Sequence, residues 1–182
     1  APTPIISVFI GDKMQGELER VLAGDGGRLG QKELMHMGVS TLADVKKDAS
    51  DRNRTSPFAF TGNKFEFRMV GSSQSLGFPN TALNTIVADL LMYIADRLEA
   101  AADPQAAWQP VMAELYAKHK RIICNGNNYD AAWAAEAALR GLSNIESTVE
   151  AIRVSEHPDV NALFNRHGVF TAAELTARRE VA

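Results

Sequence analysis

Between residues 83 and 98 apolar side chains recur at Leu83, Ile86, Val87, Leu90, Leu91, Ile94 and Leu98. Spacings of three and four residues keep these side chains on one face of an α-helix. A strand, whose faces alternate every second residue, would scatter them over both sides. Pro79 and Asn80 introduce the run, and Asp103–Pro104 follows as an N-cap and first-turn pair for another helix. The pattern predicts one long helix over residues 81–101, with the stripe facing a core.

The chain after it is helical throughout. A helix runs to about residue 122, offset at Pro110. The "NGNN" of residues 125–128 reads as a turn. Asp130 opens "AAWAAEAALR" and Gly141 ends it. Ser143 with Glu146, and Thr171 with Glu174, match the capping box. A short helix spans His157 to His167 and stops at Gly168, and a last helix starts at Thr171.

The first half is different. "PIISVFI", residues 4–10, is β-branched and apolar, as a buried strand should be. Asp12 caps a helix bearing Met14, Leu18, Val21 and Leu22, and Gly24 stops it. "GDGGRLG", residues 24–30, is a loop; Gln31 stands where a phosphate-binding P-loop needs Lys, so that motif is excluded. Thr41 is expected to cap a short helix, "LADVKK". A polar loop over residues 46–57 and a second one, "VGSSQSLGFP", flank a strand from Phe65 to Met69. Loops this long in a compact domain line a site on a rigid scaffold. The expected fold is α+β, mostly helical with few short strands. Residues 1–80 form the end of a β-sheet region with site loops, and residues 81–182 a helical region.

Composition narrows the partners. The net charge of −3 gives no reason for nucleic acid or an anionic membrane. Cys124 is the one cysteine, which points to a reducing compartment and a cytoplasmic location. No apolar run is long enough for a membrane span, and no signal peptide is visible. The missing initiator Met and the last helix, which runs on without a stop signal, lead to the expectation of a piece of something longer. His36, His119, Cys124, His157 and His167 lack metal-ligand spacing, and "KHKR" at 118–121 suits a solvated helix end.

One strand carries chemistry. In "KFEFR", residues 64–68, Phe65 and Phe67 share one face, expected to be the core side. Lys64, Glu66 and Arg68 share the other. With Arg52 and Arg54 in the preceding loop, four cations and a carboxylate lie between residues 52 and 68. Arginine forks suit carboxylate and phosphate oxygens. The pattern alone leaves two readings open: a solvated face, or an anion and metal-phosphate site.

At this block the sequence resembles the catalytic domain of glutamine synthetases, and within them the long-chain type III class. "DRNRTSPFAFTGNKFEFR" is similar to that class's signature, and "GFPNTALNTIVADLL", "PIISVFIGD" and "HKRIICNGNNYD" are similar to its surroundings. The resemblance implies a ligase that joins ammonia to glutamate, using ATP, through γ-glutamyl phosphate. It implies Mg2+ or Mn2+, a role in nitrogen metabolism, and a ring of identical subunits with active sites between neighbours. Residue by residue it implies Glu66 as a metal ligand, Arg68 as a catalytic and glutamate-binding residue, and Arg54 as a catalytic and ATP-phosphate contact. Lys64 matches a basic position near ATP. Two departures stand out: Ala59 replaces the family's second phosphate arginine, and Met69 to Phe78 form an insertion before the next turn. The family's other metal ligands lie upstream of the matching region, so the chain is expected to be incomplete and inactive alone. The rival reading is a standalone α-helical binding or assembly module whose charged strand is only solvated. A natural product of several hundred residues would favour the synthetase.

Overall fold

The computed structural model describes residues 5–25, 34–35, 45–46, 55–68 and 73–181. Among them a small sheet meets a set of helices. Strand β1 (Val8–Phe9) runs parallel to β4 (Phe58–Phe60), which is antiparallel to β5 (Phe65–Phe67). Strands β2 (Leu34–Met35) and β3 (Val45–Lys46) form a separate antiparallel pair. The helices are α1 (Asp12–Leu22), α2 (Gly77–Glu99), α3 (Pro104–His119), α4 (Ala131–Leu139), α5 (Thr148–Val154), α6 (Pro158–Arg166) and α7 (Ala172–Val181). This is the mostly helical α+β architecture that the sequence predicts. No described helix is long and apolar enough to cross a membrane.

Local signals place most helix ends. The Asp103 side chain accepts the Ala106 N–H, and Asp130 accepts that of Ala132. Thr171 and Glu174 make the reciprocal capping box: Thr171 N donates to Glu174 Oε2 at 2.8 Å, and Glu174 N donates to Thr171 Oγ1 at 3.3 Å. Gly141 and Gly168 follow their helices at φ of 68° and 62°, where a Cβ would strain the backbone.

Four expectations are corrected. Val45–Lys46 is a strand paired with Leu34–Met35, where a helix was expected; the rest of "LADVKK" and Thr41 lie outside the described residues. The Ser143–Glu146 box is not made: α5 begins at Thr148 with Ser147 at its N-cap, and Glu146 accepts from Asn144 instead. Gly11, at φ 80°, holds the N-cap of α1 in place of Asp12. The next helical stretch reaches residue 122 as expected: α3 runs to His119 with Pro110 inside it, and a 3-10 turn over Lys120–Ile122 follows.

The long helix brings the fourth correction. α2 forms, starting at Gly77, but its stripe is not a core. Ile86, Val87, Leu90 and Leu91 are 42–60% exposed, and Thr85 is its buried residue. Helical spacing fixes which side chains share a face, whereas burial needs an element to lie against that face. α2 packs on α3, where Arg97 bridges Glu114 at 3.1 Å, and on α6, where Asp89 sits 2.9 Å from His167 Nε2 and 3.3 Å from Arg166 Nε.

The buried apolar side chains lie elsewhere. Ile5, Trp133 and Ala137 cluster with Cys124 and Leu142, joining β1's approach to α4. Phe164 and Leu175 are buried at 3% and 2% exposure, and Phe164 packs with Phe78 and Phe170. Between α1 and α3, the Tyr116 hydroxyl donates to Glu19 Oε1 at 2.5 Å.

Two tests follow from this packing. Leu175→Ala should lose about 2–5 kcal/mol in urea unfolding, while Leu91→Ala should stay within about 0.5 kcal/mol. Equal losses would show that the α2 stripe is buried after all. Burial, then the bond to Glu19, pushes the Tyr116 phenol up to about 12 from 10.0. A folded pKa above the unfolded one means that its stabilising contribution is complete below pH 10 and is lost as pH climbs towards 12. Ultraviolet titration should show a late-ionising phenol that Tyr116→Phe removes; a high-pH limb that Tyr116→Phe leaves unchanged would refute the clasp.

Candidate functional site

The site is built on the β4–β5 hairpin. Thr61 N donates to Lys64 O at 2.8 Å to close its loop, and Gly62 takes φ 104°, which only glycine adopts without strain. At the open end Arg68 N donates to Pro57 O at 2.8 Å. The register pairs Phe58 with Phe67, Ala59 with Glu66 and Phe60 with Phe65. Residues opposite each other share a face. One face of the hairpin is therefore four phenylalanines, and the other is Ala59 with Lys64, Glu66 and Arg68.

The charged face is a connected unit. Arg68 Nε and Nη2 both donate to Glu66 Oε2, at 3.1 and 3.0 Å, and Lys64 Nζ lies 3.8 Å from Glu66 Oε1. Exposure grades along it: the Arg68 side chain is 15% exposed, Glu66 40% and Lys64 66%. Arg68 is thus held in place by backbone and side chain, while Lys64 reaches into solvent. The structure brings three of the four sequence-predicted site residues together. Arg54, with Arg52, lies outside the described residues.

The phenylalanines are not a buried core. Phe65 is 48% exposed, and the rings pack chiefly on one another: Phe58 on Phe65 and Phe60 on Phe65 at 5.4 Å, and Phe58 on Phe67 at 6.2 Å. On the charged side Ala59 is fully buried directly opposite Glu66, while Lys64 and Glu66 remain open to solvent. Position 59, which differs from the family signature, therefore faces the charged unit.

Sequence reasoning missed two asparagines, because "NGNN" already satisfied the requirements of a turn. Asn125 Oδ1 accepts the N–H groups of Ile10 and Gly11 at 3.2 and 2.9 Å, and its amide donates to Asp12 and Gln15. Asn128, 5% exposed, donates to Ser7 Oγ and Ser56 Oγ, both fully buried. Three amides in four residues are more hydrogen-bonding capacity than a turn needs.

Other chemistry is weaker. Among the described residues no three His, Cys, Asp or Glu side chains gather as a metal cluster. Glu66 is a lone carboxylate already paired with two cations, so these residues by themselves do not make up a metal site. Burial pushes the Cys124 thiol up, away from the thiolate form that a nucleophile or metal ligand needs. A mostly apolar pocket of about 760 Å³ is lined by Phe78, Ile152, Leu175 and Val181, but it presents no converging catalytic groups.

A buried Ala59 makes one stability forecast. Ala59→Arg, the substitution that would complete the family signature, should destabilise by at least about 1–3 kcal/mol through overpacking. Glu66→Gln, in a partly exposed pair, should change stability by less than about 1 kcal/mol. Urea midpoints check both, and an Ala59→Arg chain as stable as the wild type would mean that the space opposite Glu66 is open.

Comparisons with known proteins extend over the whole chain. Residues 107–182 match the family model for the glutamine synthetase C-terminal domain. The whole chain aligns with a type-3 glutamine synthetase of Dictyostelium discoideum at 36% identity, covering 25% of that protein. It aligns equally, at 36%, with a glutamine synthetase of Butyrivibrio fibrisolvens, covering 26% of it, and at 32% with one of Bacteroides fragilis, also covering 26%. The chain thus spans about a quarter of the length of these relatives, and along that quarter it is similar to proteins named glutamine synthetase, one of them type-3.

Proposed function

We propose that the whole protein is an ATP-dependent glutamate–ammonia ligase, and that this chain supplies the charged hairpin of its active site. The carrying observation is Arg68, mostly buried and fixed to Glu66 and to the Pro57 carbonyl, on a strand whose residues match the family signature. In the reaction a γ-carboxylate oxygen of glutamate attacks the terminal phosphorus of ATP, and the bond to ADP breaks. Ammonia then attacks the acyl carbon, phosphate leaves, and nitrogen gives up a proton to yield glutamine.

Each step spreads negative charge over phosphoryl or carboxylate oxygens, which a preorganised cation stabilises. In this reading Arg68 orients glutamate and the transferring phosphoryl group, Lys64 meets ATP from the solvent side, and Arg54 contacts phosphate. Glu66 holds Arg68 in register and contributes one ligand to a Mg2+ or Mn2+ site, whose remaining ligands come from the rest of the protein. The bound metal would neutralise phosphate charge. The reading extends to a cytoplasmic ring of identical subunits. The greater length of the relatives favours it over a standalone helical module.

The test uses the full-length protein and γ-glutamyl hydroxamate formation. Glu66→Gln should weaken Mg2+ binding in calorimetry and lower turnover by at least about tenfold. Arg68→Lys should lower turnover by about a hundredfold, because an ammonium does not reproduce the guanidinium fork. Wild-type turnover in both variants at saturating metal and glutamate would make the charged face a solvated surface. The 182-residue chain alone should form no hydroxamate above a heat-killed control.

A further inference from the structure

We propose that Asn128 is a positioning residue: its buried amide keys the "NGNN" turn to the strand hairpin and so fixes where Arg68 stands. The hydroxyl protons around it are already committed. Ser7 Oγ donates to Ile5 O at 3.3 Å, and Ser56 Oγ donates to Phe58 O at 3.1 Å. Both hydroxyls therefore offer lone pairs to Asn128, and only the Nδ2 side of the amide can use them. Its two N–H groups go to the two serines, one from the segment entering β1 and one from the segment entering β4.

The same turn holds the hairpin by its backbone. Asn128 N donates to Thr55 O at 3.0 Å, so side chain and main chain of one residue grip successive residues, Thr55 and Ser56. Pro57 follows immediately, and its carbonyl receives the Arg68 N–H at 2.8 Å. An unbroken path runs from Asn128 through Ser56 and Pro57 to the backbone of the arginine proposed to meet glutamate.

The Asn128 Oδ1 atom is buried without a hydrogen-bond partner. Ser, Ala or Leu would avoid the orphaned acceptor but would offer no paired donors to two hydroxyls 49 residues apart in sequence.

The kinetic part of the test rests on the ligase reading; the structural part does not. In the full-length protein, Asn128→Ala and the milder Ser56→Ala are compared with Phe164→Leu, a core change near α2 and α6, away from the hairpin. Hydrogen exchange of the peptide spanning residues 55–68 should quicken in Asn128→Ala and Ser56→Ala, and not in Phe164→Leu. Glutamate kcat/KM should fall at least about tenfold in Asn128→Ala, since small displacements of a positioning group are costly to rate. KM for glutamate should rise more than KM for ATP, and Phe164→Leu at a similar loss of Tm should keep kcat/KM within about twofold. If Asn128→Ala does not fold, the same comparisons are read from Ser56→Ala. Unchanged exchange in the hairpin, or a kinetic loss no greater than in Phe164→Leu, overturns the proposal while the ligase reading stands. A wild-type protein that makes no glutamine refutes the ligase reading instead, and hydrogen exchange alone then decides the role of Asn128.

Discussion

A buried carboxamide organises the described structure. Asn128 ties together the approach to β1, the approach to β4 and the turn before α4. A two- or three-residue strand contributes few ladder bonds, so the small sheet relies on side chains for its arrangement. Polar groups in a buried setting are costly when unpaired and directional when paired. That directionality serves a small sheet well, because apolar contacts alone would leave its register loosely specified. Asn125 does the companion work at the surface, bonding the N–H groups of Ile10 and Gly11 at the start of α1, which has no capping side chain of its own. Four residues thereby hold both the sheet and the first helix to the helical half.

What was legible in the sequence follows the range of the forces involved. Thr171 with Glu174, Asp103 with Pro104, Asp130 and Gly141 act within a turn of their own positions, and each was readable from neighbours alone. Val45–Lys46 was not, because its strand exists only through pairing with Leu34–Met35. Ser143 and Glu146 have the right types at the right spacing, yet Ser147 sits at the cap four residues later. Asn128 was the least legible of all, with partners 121 and 72 residues away. The pairing of Glu66 with Arg68, by contrast, needed only the two-residue period of a strand.

α2 separates two things that periodicity is often taken to imply together. The three-and-four spacing of Leu83 to Leu98 correctly gives a helix and correctly puts those side chains on one side. Whether that side is dry depends on what lies against it. α2 makes polar contacts, Arg97 to Glu114 and Asp89 to His167 and Arg166, and Leu83, Ile94 and Leu98 are half-buried, while Leu91 remains 60% exposed. Such bonds orient neighbouring helices but withdraw little apolar surface from water, and exposed ion pairs add little stability. The apolar packing of the helical half therefore centres on Phe164, Leu175 and Phe170, which α2 meets through Phe78 in its first turn and not through the stripe from Ile86 to Leu91.

The β4–β5 hairpin inverts the usual division of labour between its faces. The aromatic face is comparatively open, and ring–ring contacts, each worth about 0.5–1.5 kcal/mol beyond burial, hold it together. The charged face is covered at Ala59, fully buried across from Glu66, and at Arg68, and is open at Lys64. That arrangement matters for electrostatics, because a charge shielded from water acts more strongly on its neighbours than one that water screens. Arg68, at 15% side-chain exposure, is in the first situation, and Lys64, at 66%, in the second. The three charges that look equivalent along the strand are therefore unequal in effect. Glu66 and Arg68 form a fixed dipolar pair whose direction the backbone sets, and Lys64 is a mobile counter-charge at its edge. A small alanine at position 59 keeps that pair close to the sheet, since nothing larger stands between Glu66 and the strand that faces it.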